Sequence, residues 1–212
     1  VLVSIIALFL IMQPDIGQTL LVIFSWVILI FTSGVNIFLL FGLSIIAIIS
    51  LAYLIIYVPK FDYIQGRIFS FFNRDTGTHN FQSDKAIESI TSGGFFGKGI
   101  GEGTLKNRVP EAHTDYIISV ISEEFGVVAI ILILLLFLVF IYMVFKKINF
   151  EKDDKIKLVL IGCVSLILMQ ATIHIGVNIR LFPTTGMTLP FLSYGGSSII
   201  SISIISGIIL NL

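Results

Sequence analysis

Six apolar runs of near-bilayer length dominate this chain of 212 residues. A helix that crosses the roughly 30 Å hydrocarbon core of a membrane needs about 20 apolar residues in succession. Charged residues make up only 12% of the chain, about half the fraction that soluble domains carry. We therefore predict an all-α fold, a polytopic bundle of transmembrane helices, with spans at residues 1–12, 19–35, 37–58, 116–145, 156–179 and 197–212.

The chain begins at Val1, inside an apolar run, without the basic segment that opens a signal peptide. We expect residues 1–212 to be a fragment of a single membrane domain. Residues 1–58 supply three spans, residues 59–114 form a large extracytoplasmic loop, and residues 115–212 supply three more spans. The zero formal net charge argues against a nucleic-acid partner, and a single cysteine, Cys163, excludes a disulfide within the chain.

The lysine-rich segment at residues 146–157 predicts the orientation. It holds five lysines against three acidic residues, and short lysine-rich loops mark the cytoplasmic side. Counting spans outward from this linker places residues 59–114 on the opposite face. That loop carries half of the chain's charged residues and eight aromatic residues, whereas disordered linkers are poor in aromatics. We expect it to fold back on the membrane face, with an amphipathic helix near residues 83–91.

Asp115 ends this loop, in the sequence Pro-Glu-Ala-His-Thr-Asp-Tyr at residues 110–116. A carboxylate at the mouth of a span, beside basic residues, is a candidate base for a charged substrate. The alternative is that Thr114 or Asp115 only caps the following helix. At about 100° per residue, a polar stripe continues down one face of that helix, bordered by Glu123: Asp115, Ser119, Ser122 and Gly126.

Three further patterns carry polar groups into apolar surroundings. Glu123 and Glu124 predict either structural ion pairs or a substrate or ion pathway. Gln170, His174 and Asn178 recur every four residues before Arg180, which is more typical of an interhelical hydrogen-bond seam than of a ligand set. Residues 186–198 end in glycines and serines before a helix, which fits an anion site or a capped re-entrant turn. Residues 93–101 are glycine-rich without a P-loop signature, so we predict a turn there.

Three stretches together resemble the SEDS family of peptidoglycan glycosyltransferases, which comprises FtsW, RodA and SpoVE. They are Gln-Pro-Asp-Ile-Gly at residues 13–17, the block at residues 82–126, and Thr-Leu-Pro-Phe-Leu-Ser-Tyr-Gly-Gly-Ser-Ser at residues 188–198. Their order and spacing match the family over essentially the whole chain. Lys106 and Thr188 resemble the FtsW branch more than RodA, which implies division rather than elongation. Tyr116 and Arg180 depart from the usual family residues.

The resemblance implies the second half of a ten-helix bundle in the bacterial cytoplasmic membrane, and polymerisation of lipid II with Asp115 as the essential aspartate. A base would accept a proton from the attacking sugar hydroxyl; alternatively, Asp115 would hold a divalent cation, Mg²⁺ or Mn²⁺. No organic cofactor is implied. The implied partners are lipid II, a class B penicillin-binding transpeptidase and other divisome or elongasome proteins. The residues expected to bind substrate are Arg67, Lys98, Lys106, His113, Thr114, Arg180, Ser193, Gly195, Gly196 and Ser197.

Two other functions remain open from the sequence. A flippase for lipid-linked precursors would use polar stripes in the helices at residues 116–145 and 156–179 as its path. A non-catalytic scaffold for a transpeptidase would tolerate the loss of Asp115. Neutralising Glu123 or His174 distinguishes the transporter, because those side chains lie deeper than Asp115.

Overall fold

The computed structural model describes residues 2–13, 15–72, 78–104 and 109–212, and these are helical or irregular throughout. A helix coincides with each predicted span, and the predicted loop helix extends over Thr78–Gly93. We number the helices α1 (Leu2–Met12), α2 (Ile16–Thr32), α3 (Ile37–Tyr57), α4 (Asp62–Phe72), α5 (Thr78–Gly93), α6 (Ile117–Phe150), α7 (Asp154–Asn178) and α8 (Gly196–Asn211), with a 3₁₀ turn at Pro59–Phe61.

Within the described part of the chain, α6 and α7 are long and apolar enough to cross a membrane. The helices α1 and α8 have 11 and 16 residues, fewer than the roughly 20 that a full span needs. The predicted linker at residues 146–157 is wrong in extent, because α6 continues to Phe150 and α7 begins at Asp154. Lysines near a helix C-terminus favour helix, and Asp153 caps α7 by accepting from the Lys155 amide at 2.8 Å.

Helix α7 is the centre of the bundle and packs against α2, α6 and α8. At one end its core partners come from α6 and α8, and Cys163 is a small buried residue there, as predicted. At the other end the core joins α2, α5, α6 and the segment at residues 109–116 through Leu21, Ala86, Val109, Ala112, Tyr116, Val120, Ile173, Val177 and Met187. The segment that carries Asp115 is therefore built into the bundle.

Helix α6 is broken at Gly126, where φ is 75° and ψ is −175°. The glycine-rich turn docks into the break, because the amides of Val127 and Val128 donate to the carbonyls of Gly94 and Phe95 at 3.0 and 3.3 Å. A Cβ on Gly126 would collide with the Phe95 carbonyl. The predicted turn is confirmed, and it satisfies the amides that a straight helix would have bonded internally.

The break also marks a depth in the membrane. Residues 127–145 contain no charged side chain and span about 29 Å as a helix, close to the thickness of the hydrocarbon core. Lys147 at the far end donates to the Ile209 carbonyl of α8 at 2.9 Å. From Ile209, α8 rises only about 20 Å to Gly196, so the non-helical segment at residues 181–195 joins α8 short of the roughly 29 Å that residues 127–145 of α6 cover. We call residues 181–195 the re-entrant segment.

Candidate functional site

Asp115 lies in the last turn before α6, and its carboxylate does not cap that helix. The N-cap of α6 is Tyr116, which makes no side-chain capping hydrogen bond. The Asp115 amide is itself satisfied by the Glu111 carbonyl at 3.0 Å. The interpretation of Thr114 or Asp115 as a helix cap is therefore wrong, and the Asp115 side chain is available to a ligand.

A cavity of about 200 Å³ holds the half-buried Asp115 and opens between α4, α5, α7 and the re-entrant segment. Arg67 from α4 faces the same cavity and donates from Nη1 to the Thr184 carbonyl at 3.0 Å. Thr185 contributes a buried hydroxyl that has no hydrogen-bond partner among the described residues. The lining residues are Arg67, Gln82, Asp115, Tyr116, Val177, Thr184, Thr185, Gly186 and Met187.

Burial raises the pKa of the Asp115 carboxyl above its ordinary value, and the neighbouring Glu111 carboxylate raises it further. The Thr114 hydroxyl and the Arg67 guanidinium act in the opposite direction. A carboxylate with a raised pKa is a stronger base, and general-base catalysis is most effective when that pKa approaches the working pH.

Three consecutive carbonyl oxygens hold the Asp115 segment in place. The amide of Tyr194 donates to His113 at 3.0 Å, the hydroxyl of Ser193 donates to Thr114 at 2.7 Å, and the side-chain amide of Asn178 donates to Asp115 at 2.9 Å. The His113 side chain is exposed. Ser193, one of the residues expected to bind substrate, is a buried structural contact that connects the re-entrant segment to the Asp115 turn.

The polar seam of α7 is confirmed as a hydrogen-bond network. Gln170 donates from Nε2 to the carbonyl and hydroxyl of Thr188 at 2.9 and 3.1 Å and to the Ser198 hydroxyl at 3.1 Å. His174 Nδ1 lies 2.7 Å from the Met187 carbonyl. Non-helical backbone at membrane depth must be satisfied by protein groups, and the seam supplies them to the re-entrant segment.

The basic residues expected to bind substrate are not all at this cavity. Arg67 lines it, whereas Lys98 is paired with the fully buried Glu123 at 3.1 Å and Arg180 is paired with Asp84. The Lys98–Glu123 pair confirms the prediction that Glu123 forms a structural ion pair. Lys106 lies outside the described residues. Gly195, Gly196 and Ser197 lie at the start of α8 and are not among the residues that line the cavity.

The polar stripe of α6 packs against α5. Ser119 and Ser122 are fully buried, and the Ser122 hydroxyl donates to the Ile90 carbonyl at 3.3 Å. Ser89 of α5 approaches the Ser119 carbonyl and Glu123 Oε2, both at 3.2 Å. The stripe therefore holds the loop helix above the membrane span and does not border open water.

The sequence did not reveal that residues 184–187 form the second wall of the cavity, although residues 186 and 187 begin the stretch considered as an anion site. Gly186 has a φ of 71° and lies near the Asp115 carboxylate. It forms a turn that leads the chain past the site, and a glycine is the residue that the sequence offers for such a turn. A second, apolar cavity of about 220 Å³ lies between α6 and the re-entrant segment. It is lined by Ile133, Leu136, Phe137, Phe140, Pro190, Phe191 and Leu192.

Few side chains that could ligate a metal ion lie near Asp115 among the described residues. Among the described residues, no group of three or more His, Cys, Asp or Glu side chains is placed to hold one. Mg²⁺ is commonly held by one or two carboxylates together with substrate phosphates. Asp115 with the nearby Glu111 fits that smaller donor set.

The fold and cavity define a helical membrane protein in which a carboxylate and an arginine line the same cavity at the end of a membrane span. A family model described as "Cell cycle protein", which covers FtsW, RodA and SpoVE, matches residues 1–212. The chain belongs to this family.

Relatives and a solved structure agree with this assignment. A probable peptidoglycan glycosyltransferase FtsW of Caulobacter vibrioides is 37% identical over 210 residues, 96% of this chain and 51% of that protein. Its counterpart in Nitrosomonas europaea is 35% identical over 217 residues, 100% of this chain and 55% of that protein. The chain spans about half the length of these relatives.

One solved structure, described as structural coordination of polymerization and crosslinking by a peptidoglycan synthase complex, contains a similar chain. The TM-score is 0.76 at 26% identity, over 97% of this chain and 56% of that chain. Similarity across the whole of this chain confirms the all-helical membrane fold and the resemblance drawn from the three motifs.

Proposed function

We propose that the full-length protein is a peptidoglycan glycosyltransferase that polymerises lipid II during cell division. The observation that carries this proposal is that the Asp115 carboxylate does not cap α6. It shares a polar cavity with Arg67 at the end of a membrane span. The family and its relatives named as probable peptidoglycan glycosyltransferases support the same reaction.

In the reaction, a hydroxyl of one glycan attacks the anomeric carbon of the other substrate while the bond to its polyprenyl diphosphate breaks. Asp115 accepts the hydroxyl proton as the new glycosidic bond forms, and the raised pKa of its carboxyl suits it to that step. Attack opposite the leaving group inverts the anomeric centre. Arg67 supplies positive charge for the diphosphate in the same cavity.

A divalent cation is compatible with this site. Asp115 and Glu111 would hold it together with the substrate diphosphate, and it would neutralise negative charge on the leaving group. Burial and the neighbouring Glu111 carboxylate both raise the pKa of the Asp115 carboxyl. A bound cation would relieve the repulsion between the two carboxylates.

The apolar cavity beside the re-entrant segment suits the polyprenyl chain. Its wall of Ile133, Leu136, Phe137 and Phe140 lies on one face of the membrane-spanning part of α6. Phe191, with φ of 67°, forms the opposite wall two residues from the Ser193 contact to the Asp115 turn. A substrate could thus keep its tail in lipid-like surroundings while its head reaches Asp115.

We place the protein in the bacterial cytoplasmic membrane as a multi-pass protein, with the Asp115 cavity on the extracytoplasmic side. The lysine-rich end of α6 lies on the cytoplasmic side. A class B penicillin-binding transpeptidase is the proposed partner, in keeping with the polymerisation and crosslinking complex whose chain this one resembles.

The test is glycan-strand formation from lipid II by the purified full-length protein with its transpeptidase partner. Asp115→Asn keeps the shape of the side chain and removes the base, so polymer should fall by about 10²–10⁴-fold. Asp62→Asn, an exposed aspartate at the start of α4, is the matched control. Undiminished polymer with Asp115→Asn would refute the assignment of Asp115, and an inactive wild type across partners and metals would favour the transporter.

A further inference from the structure

Three apolar side chains are almost fully exposed on the glycine-rich turn at residues 94–101. Phe95, Phe96 and Ile100 are 75%, 85% and 78% exposed. They line neither cavity. Large apolar groups that cluster at a fixed place on a surface mark a contact with a membrane or another molecule.

The depth of this turn is fixed by α6. The carbonyls of Gly94 and Phe95 accept from the amides of Val127 and Val128, the first residues after the helix break. Residues 127–145 are uncharged up to Lys146 and cover about 29 Å, the thickness of the hydrocarbon core. The backbone of Gly94 and Phe95 is therefore held at the hydrocarbon boundary.

Hydrogen bonds and an ion pair to α6 hold the tip of the turn at that level. The amides of Lys98 and Gly99 donate to the carbonyls of Glu123 and Glu124 at 2.9 and 3.0 Å. The Lys98 ammonium pairs with the buried Glu123 carboxylate at 3.1 Å. Gly97 has a φ of 79°, and a Cβ there would collide with the Glu124 carbonyl. The exposed rings are presented by a braced backbone.

We propose that residues 94–100 form an interfacial membrane anchor, in which Phe95, Phe96 and Ile100 insert into the headgroup and acyl-chain boundary of the adjacent leaflet. Aromatic and aliphatic side chains at this depth gain from leaving water. The anchor fixes the height of α5, and with it the Asp115 cavity, relative to the lipid surface. The inference depends on membrane insertion and not on the proposed activity.

Spin-label depth measurement tests the anchor. Single-cysteine variants of the full-length protein, with its other cysteines replaced, carry a nitroxide at Phe96, Ile100, Glu102 or Leu135 in lipid nanodiscs. Leu135 is exposed in the middle of the α6 span, and Glu102 is an exposed polar residue of the neighbouring loop. Accessibility to oxygen, which partitions into lipid, is compared with accessibility to a water-soluble nickel chelate. Melting curves verify the fold of each variant.

The anchor predicts an oxygen-to-nickel ratio at Phe96 and Ile100 that is higher than at Glu102 and lower than at Leu135. A ratio equal to that at Glu102 would place the turn in water and overturn the proposal. Exclusion of both reagents would show that protein covers the turn, which would also overturn it. Loss of polymerase activity in any variant would leave the depth comparison unchanged.

Discussion

Asn178 donates a hydrogen bond from its side-chain amide to the backbone carbonyl of Asp115 across 2.9 Å. The same amide nitrogen lies 3.2 Å from His174 Nε2, and His174 Nδ1 lies 2.7 Å from the Met187 carbonyl. A neutral imidazole with its proton on Nδ1 donates to Met187 and accepts from Asn178. One chain of hydrogen bonds thus joins the re-entrant segment, α7 and the turn that carries Asp115.

Asn178→Leu should loosen that turn. Leucine has similar size but no donor, so the partly buried carbonyl of Asp115 loses this partner, at a cost of up to about 1–3 kcal/mol in the free energy of unfolding. The polymerisation rate should fall because the carboxylate is no longer fixed. Chemical unfolding and lipid II turnover measure the two effects. Asn211→Leu, at the exposed end of α8, is the control; equal behaviour of the two variants would contradict the clamp.

The rate of polymerisation should depend on the ionisation of Asp115. Its raised pKa means that the base becomes available only as the pH rises through a value above the ordinary 3.8. The folded state binds that proton more tightly than the unfolded state, so the contribution of Asp115 to stability declines over the same pH window. Initial rates against pH locate the acid limb.

Glu111→Gln tests the electrostatic part of this shift, of which burial is the larger cause. Because the Glu111 carboxylate raises the pKa of Asp115, its removal should move the acid limb to lower pH. Glu102→Gln, an exposed carboxylate on a separate turn, should leave the limb in place. An unmoved limb in Glu111→Gln would contradict a contribution of Glu111 to the pKa of the base that controls the rate.

Gly126→Ala should disrupt the break in α6. Alanine strongly disfavours φ of 75° with ψ of −175°, and its Cβ would meet the Phe95 carbonyl. We expect destabilisation of about 1–3 kcal/mol from the backbone conformation alone. Gly207→Ala, inside α8 with nothing within 4 Å of an added Cβ, should be neutral or stabilising by up to about 1 kcal/mol. Thermal unfolding in one detergent compares them, and equal melting temperatures would contradict the required break.

Lys98→Met should remove the ammonium group that pairs with the buried Glu123 carboxylate at 3.1 Å. Charged hydrogen bonds contribute about 1.5–3 kcal/mol, and Glu123 is fully buried. The double variant with Glu123→Gln should recover part of the loss, since the buried charge is gone. Lys85→Met breaks a more exposed pair with Glu88 and should cost at most about 1 kcal/mol. The free energy of unfolding is measured for each variant. A larger loss from Lys85→Met than from Lys98→Met would contradict the prediction.

The membrane fold was predictable because apolar run length is a property of the chain itself. The sequence also predicted the helix in the loop, the turn at residues 93–101 and the seam of Gln170, His174 and Asn178. The capping interpretation of Asp115 failed because cap geometry depends on where a helix begins, and α6 begins two residues later, at Ile117. The predicted extent of the linker at residues 146–157 was wrong because charged residues occur both at helix ends and in loops.

By itself, the sequence determined that this chain is a helical membrane protein of the FtsW/RodA/SpoVE family and identified Asp115 as the residue of interest, since periodicity and motif order are written along the chain. Only the tertiary structure decided which distant groups meet that carboxylate. Arg67 and Thr184 are 117 residues apart in sequence, and Lys98 and Arg180 are taken up by Glu123 and Asp84. Such pairings follow from how the helices pack, because side chains of the same type compete for partners that no local pattern specifies.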